Sequence, residues 1–388
     1  MKPPPLSLYI HIPWCIKKCP YCDFNSHTTT QIPEQEYIAA LLRDLEQETL
    51  NLEHKQLASI FFGGGTPSLF SAKGIKKIIE HAAGLLDFDD KMEITLEANP
   101  GTFEQDKFND YVLAGVNRLS IGIQSFNDAH LAKLGRIHDG EQAQNAIKTA
   151  QNSGFASINI DLMFGLPGQS PEQAKRDLAM AIETGVPHIS RYQLTIEQNT
   201  AYYSSAPANL PDDDTLFDMY CQGKALLAKA GFVNYEVSAF AKPGHESRHN
   251  LNYWQFGDYI GIGAGAHGKS TNTCNNTITR YRKTRTPNSY MSAFASPANH
   301  DHSLCQQGRF NQPIAKNELA FEFMMNALRL HQACRFSLFE QRTGLPRQEL
   351  SETLATLQAD GFITQGKNAF STTHKGQLFL NDLIARFL

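Results

Sequence analysis

From Leu6 to about Glu197 the chain repeats one pattern six times: an apolar, β-rich run, a polar or glycine-rich turn, then a segment with helical hydrophobic period. Such alternation commits a chain to a parallel sheet with its helices packed outside. The runs are LSLYIHI, ASIFFG, MEITLEA, RLSIGIQ, SINIDLMFGLP and HISRYQLTIE, beginning near residues 6, 58, 92, 118, 157 and 188. Helix starts are marked as well. Pro33 with Glu34 opens the run to Leu50, Ser71 precedes the run to Leu86, and Ser170 with Pro171 opens the run to Glu183. The predicted fold class is α/β, a partial (β/α)6 barrel of about three-quarters closure.

At 388 residues the chain exceeds one core. The sequence predicts a core domain over 1–237, a connecting or covering segment over 238–312, and a smaller, mainly helical C-terminal domain over 313–388. In the last of these, helices at Asn317–Leu330, Leu338–Thr343 and Arg347–Ala359, a hairpin in GFITQGKNAFSTT and a final helix follow a winged-helix-like order. From Lys316 onward, however, eight Lys and Arg face seven Asp and Glu, and the whole chain carries a formal charge of -4. That balance excludes a dedicated nucleic-acid binder. The apolar run before Pro13 is too short for a signal peptide or a membrane span, so the chain reads as cytoplasmic.

Each strand candidate ends in an unusual cluster: WCIKKCPYC, GGGTP, EANPG, QSF, DLMFGLPG and LTIEQNT. In α/β barrels the chemistry sits at those C-terminal strand ends. Seven cysteines, with Cys15, Cys19 and Cys22 inside eight residues, argue against a disulfide framework and for metal ligation in a reducing compartment. Cys221, Cys274, Cys305 and Cys334 are scattered singly and read as small buried hydrophobes.

Three thiolates can hold three corners of a [4Fe–4S] cubane, leaving the fourth iron for the amino and carboxylate groups of a methionine. The competing reading is a structural zinc site completed by His11 or His27. The triple glycine at Gly63, Gly64 and Gly65, followed by Thr66, lets backbone approach a ligand closely. Glu97 offers a carboxylate to ribose hydroxyls or an ammonium, and Arg136 can grip a carboxylate or pair with Asp139 or Glu141 at the surface. Gln124 and Asp161 complete the set at strand ends. Tyr21, beside Cys22, can cover an adenine or simply pack.

The Cx3Cx2C loop with GGGTP resembles the radical SAM superfamily. With YIHIPWC, IGIQSF, LGRIHD, NIDLMFGLPGQ and HNLNYW, the chain resembles one branch of it, the oxygen-independent coproporphyrinogen III dehydrogenases and the HemW-type heme chaperones. That resemblance implies a [4Fe–4S] cluster on Cys15, Cys19 and Cys22. It implies S-adenosylmethionine against Tyr9, Gly64 and Glu97, with Tyr21 at the aromatic position. Gly65, Thr66, Gln124, Arg136 and Asp161 correspond to the pocket that holds a second S-adenosylmethionine in the dehydrogenase.

Two departures separate this chain from the dehydrogenase pattern. Asp23 and Phe24 follow Cys22 where the dehydrogenase has a further cysteine, and the first strand begins within about ten residues of Met1. The segment His249-Asn250-Leu251-Asn252-Tyr253-Trp254 instead resembles the chaperone branch and implies His249 as a heme ligand, with heme and heme-acceptor proteins as partners. Peripheral membrane contact and a homodimer are compatible with it. Porphyrinogen decarboxylation, or radical chemistry on an unrelated substrate, remain the rival readings.

Overall fold

The computed structural model describes residues 1–50, 52–101, 105–295 and 308–388. The six expected strands are present: β1 (Leu6–Ile12), β2 (Gln56–Gly64), β3 (Asp87–Ala98), β4 (Arg118–Gln124), β5 (Ser157–Phe164) and β6 (His188–Gln193). They pair in parallel in chain order. Strand pleating sorts their side chains onto two faces. In β1, Leu8, Ile10 and Ile12 are fully buried in the helix-packed core, while Ser7, Tyr9 and His11 make polar contacts on the opposite face.

The helices begin where their caps predict. Ser71 accepts from the Gly74 amide to start Ala72–Leu85, and Ser170 forms a capping box with Gln173 to start Pro171–Glu183. The first helix, Glu34–Thr49, turns Tyr37, Ile38, Leu41 and Leu45 into the core.

The segment 238–312, read from sequence as a connecting stretch, contributes to the main sheet. After β7 (Val233–Asn234) it supplies β8 (Ala239–Ala241), β9 (Asp258–Ile262), β10 (His267–Asn272) and β11 (Thr277–Lys283), followed by β12 (Arg309–Pro313). The order is β12-β11-β10-β9-β1-β2-β3-β4-β5-β6-β8-β7. Because β9 runs parallel to β1, seven strands line the barrel, which stays open between its two ends. An ion network fastens this extension: Lys283 Nζ lies 2.5 Å from Asp44 and 2.6 Å from Glu48 on the first helix, and Arg309 reaches Glu48 at 2.9 Å.

A second apolar core unites helices Leu319–Ala327, Phe336–Thr343 and Ser351–Ala359, and a three-stranded sheet of Cys334–Arg335, Ala369–Thr372 and Ile363–Gln365. Of the single cysteines, Cys334 is buried as expected, Cys221 is half-buried and Cys274 is exposed. Cys274 lies in the turn Thr273–Asn276 between β10 and β11, where Asn272 caps its amide. Cys305 lies outside the described residues. Among the described residues no helix is long and apolar enough to cross a membrane.

Candidate functional site: a thiol loop at the barrel mouth

The thiol loop leaves β1 and is closed by backbone. Trp14 and Cys15 pair in parallel with His27 and Thr28, the His27 amide donates to Pro13, and the Cys22 amide donates to the Cys19 carbonyl at 3.2 Å. Asn25 then anchors the loop to the extension, its Nδ2 donating to the Ala264 and Arg285 carbonyls at 2.9 and 2.8 Å. A side chain at Gly265 would strike Asn25 at 2.4 Å. The sequence reading missed this anchor; its signal was the glycine-rich run Gly261–Gly268 after an apolar strand.

The glycines at and just after the end of β2 are packed tight against the same loop. Gly65 donates to the Ile12 carbonyl and Thr66 to the Trp14 carbonyl. A Cβ on Gly65 would lie 2.5 Å from that Trp14 oxygen, and one on Gly64, whose φ is +118°, would lie 2.7 Å from the His11 ring. Gly64 N–H points to Glu97 Oε2 at 3.2 Å.

From there a polar chain joins four strand ends. Thr66 Oγ1 donates to Cys15 Sγ at 3.5 Å and accepts from Asn99 Nδ2 at 2.9 Å. Asn99 Oδ1 accepts from Arg136 Nη2 at 2.5 Å, and Arg136 Nη1 reaches Cys19 Sγ at 3.7 Å. Arg136 also donates to the Gly122 carbonyl at 2.8 Å. Its partners are therefore interior ones; Asp139 is occupied as the cap of helix Gly140–Asn152. Arg136 Nε is buried with no acceptor among the described residues. Gln124 sits at a bulge with φ +69°, a conformation that turns its amide back over Gly122. Asn99 was not singled out from sequence, because nothing in EANPG distinguishes it from a turn residue.

Burial dominates the electrostatics of this interior. Burial, and secondarily the neighbouring Asp161, raise the Glu97 carboxyl to about 8. Burial also raises Asp161, although Asn159 and Ser120 donate to it at 2.8 and 3.0 Å. Burial pushes the Cys15 and Cys22 thiols up. Thiolates at these positions need a bound cation to be favoured.

Tyr9 lies on the polar face of β1, its hydroxyl 3.0 Å from His11 Nδ1 and its ring stacked on Phe61. Tyr21 packs with Tyr202 at a ring separation of 6.5 Å. His11 is engaged at both nitrogens, Nε2 lying 2.8 Å from the Asn25 carbonyl. His27 lines a different surface cleft with Pro33 and Thr286. Among the described residues no three His, Cys, Asp or Glu side chains converge as ligands of a single ion. That holds for the three thiols as well as for the two histidines, so the choice between a zinc site and a cluster rests on the family relation rather than on this geometry.

His249 is brought elsewhere. The helix Arg248–Trp254 lies against β2, β1 and β9, with its amide at His249 donating to Glu93 at 3.0 Å. The His249 ring is buried under Tyr9 and Phe61, with Nδ1 2.9 Å from Ser59 Oγ and Nε2 3.0 Å from the Tyr253 hydroxyl. Burial lowers its pKa to about 3. In this conformation both ring nitrogens of His249, expected from the sequence to be a heme ligand, are hydrogen-bonded inside the barrel.

Comparison with known proteins agrees with this architecture. The radical SAM superfamily model matches residues 9–181, and the HemN C-terminal domain matches residues 314–379. The solved structure of coproporphyrinogen III oxidase (HemN) from Escherichia coli superposes with a TM-score of 0.80 at 23% identity, covering 99% of this chain and 90% of that one, which establishes the shared fold. The heme chaperone HemW of Haemophilus influenzae is 47% identical over 395 residues, spanning 100% of this chain and 99% of that protein. The heme chaperone HemW of Escherichia coli is 46% identical over 392 residues with the same coverage. Related end to end at this level, the chain belongs to the HemW family of the radical SAM superfamily.

Proposed function

We propose that this chain is a heme carrier built on a radical SAM core: it binds heme and passes it to acceptor proteins, with a [4Fe–4S] cluster and S-adenosylmethionine at the barrel mouth. The observation that carries the heme part is the full-length relation, at 46 to 47% identity, to proteins named heme chaperones.

Cys15, Cys19 and Cys22 would hold the cluster, whose open iron, when loaded, supplies binding and reducing power to S-adenosylmethionine. Gly64 and Gly65 keep the strand end clear of side chains, and Glu97 presents a carboxylate whose raised pKa a cationic ligand would reverse. Arg136, whose buried Nε has no acceptor among the described residues, suits a ligand carboxylate. Thr66 and Asn99 hold that guanidinium against the thiol loop; Gln124, Asp161 and Tyr9 complete the polar wall, and Tyr21 closes its edge. Phe24 is 58% exposed at the position where the dehydrogenase pattern has a cysteine, which supports a gating role for this centre over decarboxylation.

The test is a pair of measurements on anaerobically reconstituted protein. Heme titration should produce a saturable Soret change, and incubation with coproporphyrinogen III and S-adenosylmethionine should leave the porphyrinogen unconverted. Protoporphyrinogen formation without heme affinity would overturn the proposal.

A further inference from the structure

We propose that the heme site is a cleft between helix Asp213–Lys229 and the C-terminal unit, with His331 as the axial ligand of the iron. This rests on the heme-carrier reading above and deepens it by naming where the cargo sits.

The cleft has a volume of about 320 Å³ and begins where β6 ends, at Gln193. Small-molecule sites occupy this size range and are mainly apolar. One wall is a helix face carrying Leu216, Phe217 and Tyr220; the other is Leu328, Leu378 and Leu380. Phe217 is 49% exposed, an unusual state for a phenylalanine on an ordered helix. Seven of the eleven lining residues are aliphatic or aromatic, a composition that suits a flat macrocycle.

His331 also lines the cleft and is held as a metal-binding imidazole is held. Its amide donates to the Tyr235 carbonyl at 3.0 Å, and the preceding Leu330 forms a β-bridge with Glu236. Its ring Nδ1 lies 3.1 Å from the Asn234 carbonyl oxygen. A carbonyl only accepts, so Nδ1 carries the proton and Nε2 carries the lone pair. Nε2 has no partner among the described residues. Burial lowers the imidazole pKa to about 4, keeping that lone pair unprotonated. His249 presents the opposite case, with both nitrogens engaged.

A propionate needs a cation at the edge of the macrocycle. Lys224 lies against two lining residues, its Nζ 3.2 Å from Gln377 Oε1 and 5.8 Å from the Tyr220 ring centre. Asp213 is the acidic member of the described lining and opposes anions there, so Lys224 marks the favoured edge.

The experiment is heme titration of the full chain, followed by the Soret band, in wild type, His331→Ala and the cleft-filling Leu378→Trp. Loss of the ligand should weaken heme binding by about tenfold or more and move the Soret band. Added imidazole should restore the wild-type spectrum in His331→Ala, a rescue that a merely structural role would not give. Leu378→Trp, which leaves His331 in place, should weaken binding without the imidazole rescue. If wild type binds heme and both variants, shown folded by circular dichroism, bind it equally with unchanged spectra, the cleft is not the site and the carrier reading stands. If wild type itself binds no heme, the carrier reading falls and this assignment with it.

Discussion

Glu97 is the residue whose chemistry the fold alters most. Its carboxyl moves from 4.5 to about 8 through burial, then through Asp161. With the folded pKa above the unfolded one, the native state keeps a proton that the unfolded chain releases, so ligand-free protein loses stability as pH climbs through that window. Glu97→Gln removes the slope. The variant and wild type should melt alike near pH 4.5 and diverge in the variant's favour by pH 8; a constant difference would exclude Glu97 as the titrating group. Gly65 is the second telling residue, since a methyl there meets the Trp14 carbonyl at 2.5 Å. Gly65→Ala should cost about 1–3 kcal/mol and lower the iron taken up on reconstitution. Gly84→Ala, whose methyl meets nothing within 4 Å, is the matched control and should load normally.

Among the elements, the short helix Arg248–Trp254 performs a task its sequence only partly announced. It closes the barrel wall with polar contacts: His249 to Ser59 and Tyr253, and Asn252 to Ser7 and the Asp258 carbonyl. Removing one buried partner leaves donors or acceptors unsatisfied at roughly 1–3 kcal/mol each. His249→Ala should therefore lower the denaturant midpoint in the absence of any heme, and equal midpoints would refute the structural role. HNLNYW was conspicuous in the sequence, but its contacts with Ser59 and Ser7 lie on residues 190 and 245 positions earlier, beyond any local pattern. The same limit applies to β9. Its apolar run is visible, yet its parallel pairing with β1, 252 residues before it at Leu6↔Asp258, depends on which sheet edge the chain returns to. By contrast β1 to β6 and the Ser71 and Ser170 caps were legible because their signals are periodicity and capping, both local. Of the candidate site, the strand-end residues were readable as a group; the Cys15–Thr66–Asn99–Arg136–Cys19 chain was not, because it is made across strands.

For the whole molecule, the question is whether barrel and C-terminal unit unfold as one body. The second core is not confined to the C-terminal residues: it takes in Phe256 and Ile278 from the sheet extension, each 1% exposed, and Met1 from the chain start. Phe256 meets Phe323 edge-on at 5.6 Å, Ile314 donates to the Ile278 carbonyl, and Lys2 donates to Gln341. Salt bridges Arg280–Glu322 and Arg329–Glu236 cross the same boundary. Each fully buried apolar side chain of this kind contributes about 1.5–3 kcal/mol, so separating the units costs several such contacts at once. The two tryptophans are placed to report on this. Trp14 is buried in the barrel core against Tyr37, and Trp254 lies at the boundary under Arg329, 4.4 Å from its ring centre. With Trp14→Phe and Trp254→Phe each leaving one reporter, the two fluorescence transitions should coincide. Phe323→Ala, a large-to-small change worth about 3–5 kcal/mol, should then shift both by the same amount. A shift of the Trp254 signal alone would mean that the C-terminal unit opens independently of the barrel.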